Sequence, residues 1–81
     1  MRKVYVDVKA KFSSQGELVP LSFTWENGKE YFIDKVFECK QAASLKAGGQ
    51  GMRYRCRVMG KEVLMFFEDS RWFMEGKNDE L

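Results

Sequence analysis

The chain has 81 residues, with 14 lysines and arginines against 12 aspartates and glutamates, one proline, seven glycines and no histidine. That length admits one small domain, and 44% hydrophobic with 15% aromatic content marks a core-forming chain rather than a disordered one. A net charge of +2 is too weak to argue for nucleic acid by itself, and without histidine there is no imidazole base, no Ser-His or Cys-His pair and no histidine metal ligand, so neither catalysis, cofactor nor metal is expected.

Met1-Arg2-Lys3 is followed by an alternating stretch that includes Asp7, Lys9 and Lys11, where a signal peptide needs a continuous apolar run. No segment approaches the ~20 apolar residues of a membrane span. Val4, Val6, Val8, Ala10 and Phe12 alternate with polar residues, which predicts a strand with one buried face. A turn at Gln15-Gly16 would pair Phe12 with Val19, Ala10 with Leu21, Val8 with Phe23 and Val6 with Trp25. Pro20 then falls on the opposite face, and because proline cannot donate to a ladder it belongs at an edge or in a bulge.

At Asn27-Gly28 a three-residue loop, with Gly28 left-handed, keeps Tyr31 opposite Phe23 and Ile33 opposite Leu21 on the buried face. The alternation slips after Ile33, which predicts a bulge turning Val36 inward. Residues 41–47 gain alanine and have the composition of a short helix, and the glycine-rich run that follows reads as a connector.

The last thirty residues repeat the hairpin rhythm. Tyr54, Cys56 and Val58 alternate with Arg53, Arg55 and Arg57, and a turn at Gly60-Lys61 would set Val58 opposite Val63, Cys56 opposite Met65 and Tyr54 opposite Phe67. A turn at Asp69-Ser70 pairs Phe67 with Trp72 and Met65 with Met74. Cys39 and Cys56, lacking the second pair of a zinc site or secreted disulfide framework, read as reduced, partly buried thiols of a cytoplasmic protein. Residues 76–81 form a polar tail, whose Asn78-Asp79-Glu80-Leu81 only superficially resembles a retention signal.

These elements predict a mainly β domain over residues 1–75, built as a six-stranded antiparallel meander in a small, partly closed SH3-like barrel or strongly bent sheet. The same register leaves Leu64, Phe66 and Phe73 outward among arginines. Arg53, Arg55, Arg57, Phe66, Phe73 and Arg71 are therefore the candidate binding residues: flat rings to stack on, and guanidinium groups for phosphate or carboxylate. Two arrangements would cover that face instead, a short helix placing Leu45 over Phe66 and Phe73, or arginine stems lying across Phe66.

The spacing of Phe23, Trp25, Gly28, Tyr31, Ile33 and Val36, then Tyr54-Arg55, Phe67 and Trp72, resembles a family of small bacterial β-barrel domains of unknown function, some found beside translesion-type DNA polymerases. The resemblance implies a bacterial, cytoplasmic accessory module without catalytic residues. The expected role is a non-enzymatic binding module, monomeric or weakly dimeric and away from membranes, that meets a protein segment or single-stranded nucleic acid through the Arg/Phe face. The alternative is an interaction or structural module that self-associates through an exposed strand edge, along the first strand or the one containing Pro20.

Overall fold

Alternation along the first twelve residues yields two strands, not one. The computed structural model describes residues 2–43 and 50–76, and β1 (Arg2–Tyr5) ends where Val6 interrupts the strand before β2 (Asp7–Phe12). The Val6 N–H still donates to the Trp72 carbonyl at 3.1 Å, and the chain then leaves for a second sheet. Val4, Val6 and Val8 all face inward because the two sheets share one core, so period two survives the change of sheet. Six further strands follow: β3 (Leu18–Thr24), β4 (Glu30–Phe32), β5 (Lys35–Ala43), β6 (Gln50–Val58), β7 (Lys61–Glu68) and β8 (Arg71–Gly76). They build a five-stranded sheet in the order β1-β8-β7-β6-β5 and a three-stranded sheet in the order β2-β3-β4, antiparallel throughout.

The protein is thus mainly β, but its sheets are not closed into the six-stranded barrel expected from the hairpin rhythm. Two crossings account for the difference. One is Val6; the other lies between β4 and β5, where the Ile33 N–H bonds to Leu21 in one sheet and the Asp34 N–H bonds to Arg57 in the other, both at 2.9 Å or less.

The core consists of Val4, Val6, Phe23, Tyr54, Cys56, Val58, Met65 and Met74. Val8, Trp25, Tyr31, Ile33, Val36, Met52, Val63, Phe67 and Trp72 pack against it. The loop at residues 26–28 has the predicted length: Phe23 faces Tyr31 and Gly28 is left-handed at φ 86°. The first hairpin adopts the same three-residue form, with Gly16 at φ 83° and Phe12 opposite Leu18 rather than Val19. Its Ser13 side chain explains the choice, because Oγ accepts from the N–H groups of Gln15 and Glu17. A bulge then restores Val8 to Phe23, and Pro20, opposite Ala10, is buried while Leu21 turns outward, 44% exposed. The predicted bulge around Pro20 is present; the faces assigned to Pro20 and Leu21 are exchanged.

The turn between β6 and β7 falls at Met59-Gly60, both residues left-handed, and not at Gly60-Lys61. Cys56 consequently faces Val63, and Tyr54 faces Met65. A slip of two residues leaves every side chain on its predicted face. The turn at Asp69-Ser70 and the pairs Phe67 with Trp72 and Met65 with Met74 stand as predicted. Residues 41–43 continue β5 as strand, so the predicted helix does not begin there; the rest of it, including Leu45, lies outside the described residues. β8 extends to Gly76, one residue into the predicted tail. Among the described residues no helix is long and apolar enough to cross a membrane.

Candidate binding face and cleft

The outer face of the five-stranded sheet is assembled row by row from the register. One row crosses every strand: Tyr5 on β1, Phe73 on β8, Phe66 on β7, Arg53 on β6 and Lys40 on β5. Phe66 and Phe73 stack with centroids 5.0 Å apart, and Tyr5 meets Phe73 edge-on at 5.7 Å. Lys3 caps the Phe73 ring at 4.6 Å, and the Arg71 guanidinium lies 3.6 Å from the Tyr5 centroid. Phe73 is buried at 7% exposure, so it supports the row from beneath, whereas Phe66 is half-buried and Tyr5 is exposed.

Arg55 and Arg57 belong to a different neighbourhood. Arg55 sits between Glu38 at 3.6 Å and Glu62 at 3.3 Å, and Arg57 approaches Asp34 at 3.9 Å. Both also gather, with Lys35, around the ring of Phe37 at 5.1 to 6.0 Å. Phe37 takes this place because the bulge between Val36 and Glu38 gives β5 an extra residue at the sheet edge. The six candidate residues therefore divide into an aromatic row with Arg53 and Arg71, and an ion-paired patch with Arg55 and Arg57.

Charge on this face is uneven. Lys3, Lys35, Lys40, Arg53, Arg55, Arg57 and Arg71 share it with Asp34, Glu38, Glu62, Glu68 and Glu75. Among the described residues Arg53, Arg71 and Lys35 have no carboxylate within 4.0 Å, while Lys3 reaches Glu68 and Lys40 reaches Glu38. The two unpaired arginines flank the aromatic row. Sequence reasoning missed Lys3, Tyr5 and Lys40 as members of this face. The outward phase of Tyr5 was visible in the alternation, but its placement beside Phe73 depends on pairing the first strand with the last.

The interior holds a second feature. A cleft of about 690 Å³ opens between the β2–β3 hairpin, through Phe12, Leu18 and Val19, and the β5–β6 side of the large sheet, through Val36, Cys39, Met52 and Tyr54. Tyr54 spans it, its hydroxyl donating to the Leu18 carbonyl at 2.6 Å. Burial, and after it the neighbouring Cys39 thiol, pushes the Tyr54 phenol above its ordinary range. Both cysteines are free thiols, Cys39 exposed and Cys56 buried. Among the described residues no group of three or more acidic or cysteine side chains is placed to hold a metal ion. Comparison of the chain with known protein families, with curated proteins and with solved structures returns no match.

Proposed function

We propose that the protein is a non-enzymatic binding module whose outer sheet face takes single-stranded nucleic acid, in keeping with the bacterial, cytoplasmic accessory role that the family resemblance implies. The observation that carries this reading is the row of Tyr5, Phe73 and Phe66 running into Arg53 and Lys40, with Arg71 beside it and neither arginine neutralised by a carboxylate among the described residues. The exposed Tyr5 ring and the half-buried Phe66 ring offer sequence-tolerant stacking over a buried Phe73, and guanidinium groups next to them suit phosphate bidentately. Arg55 and Arg57, held by Asp34, Glu38 and Glu62, contribute less than Arg53 and Arg71.

The test is fluorescence anisotropy with a labelled single-stranded oligonucleotide across a salt series. Arg53→Ala and Arg71→Ala should each reduce the slope of log affinity against log salt by about 0.7, the single-strand value per phosphate contact. Tyr5→Ala should weaken binding by about 1 to 3 kcal/mol if a base stacks there. Absence of binding at low salt, or an affinity independent of salt, rejects nucleic acid and leaves a protein segment as the occupant of this face.

A further inference from the structure

We propose that β5 is a homodimer edge, at which two copies of the chain join their five-stranded sheets antiparallel about a two-fold axis passing beside Cys39. Among the described residues nothing pairs with the outer side of β5, a nine-residue strand and the longest class of strand in the protein. The strand containing Pro20, β3, is by contrast enclosed between β2 and β4, so it offers no free edge for self-association.

The charge pattern of β5 selects both the partner and the register. In a two-fold antiparallel pairing with the axis normal to the sheet, inward residues must meet inward residues, so the strand can be centred only on particular positions. Centring on Glu38 sets the two Glu38 carboxylates opposite each other, and centring on Lys40 does the same with two ammonium groups. Centring on Cys39 sets Glu38 opposite Lys40 of the second copy, twice by symmetry. Side chains directly opposite across antiparallel strands interact whether they attract or repel, and the Cys39 register makes both charged pairs attractive. Residues 38–40, on which this register is centred, lie beyond the bulge and keep regular pairing with β6.

Apolar surface points the same way. An axis normal to the sheet keeps both inner faces on one side, so the open cleft of each copy faces the seam. Phe12, 75% exposed, lines that cleft from the hairpin side. The joined edge would bring two such openings together and withdraw apolar rings from water.

The experiment is sedimentation equilibrium on the full chain and on charge variants. Wild type should dimerise reversibly. Glu38→Lys and Lys40→Glu, each placing like charges opposite, should weaken the dimer about tenfold or more. The double exchange should restore it, and an equimolar mixture of the two single variants should form a heterodimer tighter than either variant's own homodimer. Circular dichroism checks that each variant is folded, and the mixture is its own control. A bismaleimide should link wild-type copies through Cys39, and Cys39→Ser should abolish the link. A wild type that stays monomeric at ~1 mM, or a dimer indifferent to both single reversals, overturns the proposal. Nucleic-acid binding is judged separately, on the wild type and on the Arg53, Arg71 and Tyr5 variants; Lys40→Glu alters a residue of the binding row and serves only the association test.

Discussion

The Tyr54 hydroxyl crosses from the large sheet to satisfy a backbone acceptor of the small one, Leu18, at 2.6 Å. Tyr54→Phe keeps the ring, with its contacts to Trp72 at 5.2 Å, and removes only the donor. The variant should lose about 1 to 2 kcal/mol in urea unfolding, because the Leu18 carbonyl is left in a partly buried setting without its partner. Cys56 supplies a different readout. Burial pushes its thiol from 9.0 up to about 11, and a thiol whose folded pKa is raised favours the fold only while it is protonated. Stability should therefore be intact below pH 9 and decline as pH rises toward 11, with Tyr54 shifted in the same direction and extending the loss. Cys56→Ala should make that decline shallower in chemical denaturation at stepped pH; an unchanged slope would assign it to other groups.

At the level of the hairpin, two turns show what local sequence encodes and what it conceals. Asp69-Ser70, both left-handed, sits between alternating runs and is composed of turn-forming residues, so its position and pairings could be read directly. Met59-Gly60 could not, because methionine carries no turn signal and its φ of 52° is imposed by the strands on either side. Since a shift of two residues preserves side-chain direction, the inward Tyr54, Cys56 and Val58 and the outward arginines were readable even though their cross-strand neighbours were not. Met59 is 74% exposed, so the side chain contributes little packing to set against its backbone cost. Met59→Asn creates the Asn-Gly pair that two-residue hairpins favour, and should stabilise the protein by about 0.5 to 1 kcal/mol, measured as a rise in Tm. A fall in Tm would show that what the methionine side chain does contribute outweighs the gain in the turn.

Across the molecule, the hydrophobic pattern identified most of the core, with Phe12 and Leu21 as exceptions that the structure exposes, but not which sheet each strand joins, because inward is the same direction for both sheets. The crossing at Val6 leaves no mark on a period-two sequence, and the slip after Ile33 reads equally as a bulge within one sheet, so a barrel and two open sheets were indistinguishable from the pattern. The binding row was partly readable for the same reason: Arg53, Phe66 and Phe73 lie on locally connected hairpins, whereas Lys3 and Tyr5 reach them only through the β1–β8 ladder. That ladder joins Arg2 to Gly76, nearly the full length of the chain. The hairpins β5 to β8 can form from neighbouring segments, but β1 must close the longest loop in the protein before it gains a contact, and on a ribosome it waits until β8 has been made. Its docking should follow the rate-limiting step. Val4→Ala, at a side chain 5% exposed, should accelerate unfolding while leaving the folding rate nearly unchanged, whereas Met65→Ala, central to the β6–β7–β8 hairpins, should slow folding. The N-terminal strand then acts as a latch fastened last and released first, and the lifetime of the native state, more than the speed of reaching it, depends on those four residues.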